Sequence, residues 1–245
     1  MEKVDWHLYL KTEDVWSSMK EECLKAEKTI EIEQYIFKDD EIGQEFVDIF
    51  VKKSKEGVKI RILCDMVGSF SLYNSKTPSL LRSHGIEIRF FNIIKLWRID
   101  TIFSWFFRDH RKILIVDGSV GFVGGVGMRK DFQNWRDTHV KVSGNIVKEM
   151  QNAFGEMWET SGAENFIERQ KRAQSFSKGF HFLTNSPHFK KRFFYYELIE
   201  NIRNAKDFIY ITTPYFVPDR RVVRVLEMAA LRKVEVIILI PEISN

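Results

Sequence analysis

A histidine and a lysine stand two positions apart in "DHRKILIVDG", residues 109–118, at the start of an otherwise apolar run. Side chains two apart on a strand share a face, so His110 and Lys112 point into one space while Arg111 points away. An imidazole can attack or carry a proton, and a compact ammonium beside it neutralises oxyanions; the pair suits chemistry at a phosphoryl group. Ile113, Leu114, Ile115 and Val116 follow the pattern of a central strand covered on both faces. Asp117 and Gly118 then make a tight turn. The returning strand brings Gly124, Gly125 and Gly127 beside His110, where glycine lets backbone approach a ligand closely.

Two carboxylates accompany the pair. Seven extended residues cover roughly 23 Å, so Asp117 cannot touch His110 and its work is to hold the turn. Asp137, in "NWRDTH", is the better partner, because a nucleophilic imidazole needs a carboxylate on its other nitrogen to fix the tautomer. His139 shares the face of Asp137 and reads first as structural, second as a site group. His7, His84, His181 and His188 have no spaced companions.

These residues need a scaffold, and the apolar spacing supplies one. Helical spacing over Glu13 to Ala26 gives way to the strand "TIEIEQYIF"; Asp40 caps a helix to about Glu56, and "VKIRILCD" is the next strand. A short helix opens at Thr77-Pro78 and ends at Gly85, followed by "IEIRFF". The strands "KILIV", "VGFVGG" and "THVKV" lead to a helix from about Asn145 to Thr160. The fold class is α/β, a mostly parallel or mixed sheet flanked by helices.

The second half repeats the first. "AEKTIEIEQYIFKDD", a helix and "VKIRIL" are echoed by "AKDFIYITTPYFVPD", a helix and "VEVIIL". Ala26 matches Ala205, 179 positions on, and Val58 matches Val234, 176 positions on. A first domain over 1–160, a polar connection over 161–180 and an incomplete second domain over 181–245 account for this. Carrying the offset forward puts the counterpart of His110 near residues 286 to 289, past Asn245.

Composition excludes little. The 38 Lys+Arg against 34 Asp+Glu give +4, too mild a surplus for a dedicated nucleic-acid binder. Cys23 and Cys64 lack metal-site or redox spacing and read as reduced core thiols of a cytoplasmic chain. The N-terminus shows no signal peptide, and charges at Lys95, Arg98 and Asp100 interrupt the most apolar segment, so no span is expected. That segment instead interleaves Trp97, Phe103, Trp105, Phe106 and Phe107 with Lys95, Arg98 and Arg108. Aromatics among bases suit either an anionic lipid interface or a core-facing helix with a basic edge.

His110, Lys112 and Asp117 match H-x-K-x4-D, and the chain resembles the phospholipase D superfamily. "FVGGVGM", "NWRDTHVKVSG", "IEQYIF" and "TTPYFVPD" resemble its bacterial cardiolipin synthase branch. The resemblance implies a phosphatidyltransferase needing no metal or other cofactor, with a phospholipid as substrate and a peripheral place on the cytoplasmic face of the membrane. His110 would be the nucleophile, Lys112 the ligand of the non-bridging oxygens, and Asp137 the group orienting His110. Tyr215 reads first as a core aromatic and, by the resemblance, as a wall of the substrate cleft. Many members carry Ser and Asn where this chain has Gly125 and Gly127.

In-line displacement needs a nucleophile on one side of phosphorus and an acid on the other. One motif therefore implies either further sequence carrying a second or a homodimer joining two His110. A phosphodiesterase or nuclease, and a non-catalytic lipid-binding lobe, are the alternatives.

Overall fold

The computed structural model describes residues 4–93, 107–161, 180–185 and 193–242. The chain forms two compact units, residues 1–182 and 183–245. Unit 1 is built on seven strands: β1 (Asp5–Tyr9), β2 (Thr29–Gln34), β3 (Lys59–Asp65), β4 (Glu87–Phe91), β5 (Lys112–Val116), β6 (Val120–Gly124) and β7 (His139–Ser143). Their order is β1-β7-β6-β5-β2-β3-β4. Parallel pairing is confined to β2, β3 and β4; the remaining pairs are antiparallel. The sheet is thus mixed, because the parallel strands are joined through helices and β5 and β6 form a hairpin.

One face is covered by α1 (Thr12–Lys25), α2 (Glu41–Lys55), α3 (Phe70–Tyr73) and α4 (Thr77–Ser83), whose Trp16, Met19, Phe46, Phe50, Leu72 and Leu81 join Ile30, Ile32 and Leu114 in one core. The other face is covered by α5 (Ile146–Ser161), whose Val147, Met150, Phe154 and Trp158 pack on Ile113 and Ile115. Removing such side chains from water stabilises by about 1.5–3 kcal/mol each, which is what fixes β5 centrally. Both cysteines are fully buried.

The β5–β6 hairpin turns on Asp117 and Gly118, with φ of 53° and 62°, left-handed at both central positions as a type I′ turn requires. Asp117 does more than shape that turn. Its carboxylate accepts the backbone N–H groups of Glu27, Lys28 and Thr29 at 2.7 to 2.8 Å, tying the hairpin to the entry of β2.

Unit 2 contains α6 (Phe193–Asn204), β8 (Phe208–Thr212), α7 (Arg220–Leu231) and β9 (Glu235–Leu239). The order helix, strand, helix, parallel strand is that of α1, β2, α2 and β3. Asp219 caps α7 through the N–H groups of Arg221 and Val222, as Asp40 caps α2 through that of Gly43. Ile199, Ile202, Val222, Leu226 and Val234 form its core, with Phe216 packed against it. The opposite face of β8 and β9 leaves Phe208, Tyr210, Ile237 and Leu239 exposed. β1 and α3 escape sequence reading because each is short and neither shows sustained periodicity.

Candidate active site

Three strands end together at the site. β2 and β3 run parallel and finish at Gln34 and Asp65, while antiparallel β5 begins at Lys112, the cross-strand partner of Gln34. The carboxyl ends of parallel strands are where open α/β sheets present polar groups. His110 lies two residues before the start of β5 and is exposed, whereas Lys112 is only 6% exposed. Lys112 Nζ approaches His110 Nδ1 to 3.3 Å and donates to its carbonyl oxygen at 3.1 Å. The two groups share one space, as the alternation requires. Arg111 turns to the other face, reaching Glu33 Oε1 at 3.4 Å and the Ala153 carbonyl at 3.3 Å.

Burial sets the electrostatics. It pulls Lys112 down to about 8, although Asp137 and Asp109 favour its charge. Partial burial, then Lys112, lowers His110 below the usual histidine value, with Asp65 opposing. An imidazole so placed is neutral at pH 7 and able to attack, beside an ammonium that remains largely charged.

Asp137 takes a different position from the one its spacing implies. Its Oδ1 accepts the N–H of Thr138 at 2.7 Å, and its carboxylate lies over the Cα of Gly125, where an added Cβ would come within 2.2 Å of Oδ1. Among the described residues no carboxylate hydrogen-bonds the His110 ring. The carboxylate has turned back on its own backbone, and its field acts on Lys112.

The glycines are explained by close approach. Gly124 pairs with His139, and a Cβ there would meet its Nδ1 at 2.7 Å. Gly127 lies against Ile36 and Phe132, with its carbonyl accepting Trp16 Nε1 at 3.0 Å. His139 is fully buried and held by Val126 N–H donating to Nδ1 at 3.4 Å. Burial, reinforced by Lys112, drives it to about 3, so it is a neutral ring.

Several site residues carry no motif. Tyr35 packs its ring 4.4 Å from that of His110 and 5.4 Å from Lys112 Nζ. Fully buried Asp65 accepts the N–H of Asp109 at 3.0 Å and those of Val67 and Gly68, fixing the segment that leads into His110. Behind it, Glu33 and Asp109 are buried together; burial first and then Asp109 raise the Glu33 carboxyl well above its ordinary value, with Arg111 opposing. The available signal was polar residues at the ends of otherwise apolar strands.

Asp117 is at the far end of β5 from His110, so its place is in the scaffold. Phe107 is half-buried, while Trp97, Phe103, Trp105 and Phe106 lie outside the described residues, as does most of the 161–180 connection. Tyr215 is in unit 2, 61% exposed. Among the described residues no cluster of His, Cys, Asp and Glu could hold a metal, and no helix is long and apolar enough to cross a membrane.

Residues 19–158 and 198–245 match the family described as cardiolipin synthase, phospholipase D-like domain. The chain belongs to this family. Its similar curated relatives include a cardiolipin synthase of Halalkalibacterium halodurans, 34% identical over 93% of this chain and 47% of that one. Another, from Oceanobacillus iheyensis, is 35% identical over 92% of this chain and 48% of that one. The chain therefore spans about half the length of these relatives of its family. Among solved structures, phosphatidylserine synthase of Haemophilus influenzae shares the fold, with TM-score 0.69 and 14% identity over 96% of this chain and 61% of that one. NucT from Helicobacter pylori has TM-score 0.50 and 16% identity, covering 64% of this chain and 97% of that one.

Proposed function

We propose that this chain supplies one half-site of a phosphatidyltransferase of the cardiolipin synthase type. The reading rests chiefly on one observation, the contact between exposed His110 and buried Lys112. An unpaired buried lysine costs several kcal/mol, a cost that a phosphoryl ligand would offset.

In the first step an imidazole nitrogen attacks phosphorus, the N–P bond forms and the P–O bond to the departing alcohol breaks. The departing oxygen takes a proton from an acid on the opposite side. In the second step the hydroxyl of a second phospholipid attacks phosphorus, surrenders its proton to that same group, and the N–P bond breaks. Lys112 neutralises the non-bridging oxygens throughout. While Lys112 donates to Nδ1, that nitrogen has no proton; a substrate oxygen that draws Lys112 away frees Nδ1 to take one and turn it to Asp137, leaving Nε2 to attack.

The opposite acid would come from a second H-x-K-x4-D motif, in further sequence or in a partner copy. Two features support the first source. Unit 2 copies the opening elements of unit 1, and β8 and β9 form a two-stranded sheet, marginal alone, with an apolar face exposed. The aromatic and basic residues from Lys95 to Arg108, with Trp97, Phe103, Trp105 and Phe106 among them, would lie at the anionic cytoplasmic surface of the membrane.

The test is glycerol release from phosphatidylglycerol vesicles, by this chain over a range of concentrations and by this chain extended with a second motif. Release is expected only where two motifs meet, and His110→Ala should abolish it. Turnover by a strict monomer of this chain, or by the His110→Ala variant, contradicts the reading.

A further inference from the structure

A row of buried polar side chains crosses the sheet beside the nucleophile. Gln34 and Lys112 are cross-strand partners, so their side chains share a face. His139 is the partner of Gly124 on β6, and the β5–β6 register, continued by one residue, sets Gly124 opposite Lys112. Gln34, Lys112 and His139 therefore stand on one face, and the lack of a side chain at Gly124 lets His139 pack close against β6 in that row.

Gln34 and His139 are both fully buried. Among the described residues Gln34 Nε2 and Oε1 and His139 Nε2 have no hydrogen-bond partner. Because His139 Nδ1 accepts from Val126, Nε2 carries the proton and is a donor. Lys112, within range to act electrostatically on His139, is a cation and cannot accept. Leaving a buried donor unmade costs about 1–3 kcal/mol, and here two, Gln34 Nε2 and His139 Nε2, lie in the cross-strand row that holds the Lys112 ammonium.

We propose that Gln34 and His139, with Lys112, form a cradle for the phosphoryl oxygens of a phosphodiester, supplying the neutral donors that Gly125 and Gly127 cannot. This deepens the phosphatidyltransferase reading and rests on it. The apolar strand face that Gln34 interrupts, after Ile30 and Ile32, gives no packing reason for an amide. Oxygens that meet the Gln34 Nε2 amide, the Lys112 ammonium and the His139 N–H would satisfy the donors of all three groups.

The test is calorimetric titration of the full chain with glycerophosphoglycerol and, separately, with inorganic phosphate. The wild type should bind the diester, Gln34→Met should weaken binding about tenfold, the loss of one hydrogen bond to a charged group, and Lys112→Met should abolish it. A folded Gln34→Met variant that binds as the wild type does, where Lys112→Met does not, overturns the cradle and leaves the functional reading standing. Undiminished binding by Lys112→Met, or none by the wild type, overturns both. Binding of inorganic phosphate alone overturns a lipid headgroup as the source of the oxygens. Should Gln34→Met fail to fold, the nitrogen resonance of His139 Nε2 in the wild type decides: it should move on saturation with diester, and a fixed resonance overturns the proposal.

Discussion

The Lys112 ammonium lies 3.3 Å from Nδ1 of His110, so the cation that would serve the substrate is first held by the nucleophile. Burial lowers both groups, and the charge on Lys112 lowers His110 further. Attack requires neutral His110, so the rate should rise with pH through a value below that of an ordinary histidine. Phosphoryl binding requires charged Lys112, so the rate should fall again near pH 8. A bell-shaped profile of kcat/KM from the two-motif assembly checks this. Asp137→Asn removes a charge that favours the ammonium and should move the alkaline limb to lower pH.

Asp117 belongs to the scaffold although it completes the motif. Partial burial opposes its ionisation, but the N–H groups of Thr29, Glu27 and Lys28 outweigh that and hold the carboxyl below its usual value. Asp117→Ala should cost about 2 kcal/mol in urea unfolding, the scale of hydrogen bonds to a charged group. Asp117→Asn should cost less, since Asn keeps an acceptor and tolerates the left-handed backbone. The His110 titration curve should be unchanged in both.

Glu33 predicts a pH-dependent stability. A carboxyl raised in the folded state contributes fully below its unfolded value, and that contribution is lost as pH rises through the folded value. Glu33 is such a group, facing Asp109 and Arg111. Relative to the wild type, Glu33→Gln should gain about 1.4 kcal/mol per pH unit above the unfolded carboxylate value, levelling off at the folded one. Urea unfolding at pH 5, 6, 7 and 8 reads the difference; parallel curves would contradict it.

The segment before the motif predicts lipid binding. Trp105→Ser with Phe106→Ser should lower co-sedimentation with anionic vesicles severalfold. Equal binding by the variant would place these rings elsewhere.

The shared face of His110 and Lys112, the Asp117 turn and the glycine hairpin were all legible in sequence, because each rests on period-two alternation or on turn chemistry between neighbours. The helices capped by Asp40 and Asp219 were legible for the same local reason. The mixed sheet order was not, since the pairing of β2 with β5 joins residues some eighty positions apart in the chain. Gln34, Tyr35 and Asp65 escaped because their roles depend on strands far apart in the chain ending at one edge. The spacing of Asp137 points its carboxylate at His110, but its turn back to Thr138 N–H is a rotamer choice that spacing does not encode.

The central claim is that His110 attacks phosphorus, and it can be separated from the need for a second motif. The p-nitrophenolate of a p-nitrophenyl phosphodiester leaves without a general acid, so this chain alone should release about one nitrophenolate per chain in a burst and then stall. Mass spectrometry under alkaline conditions should find the acid-labile phosphoryl adduct on His110. No burst, or an adduct on any other residue, would contradict the account.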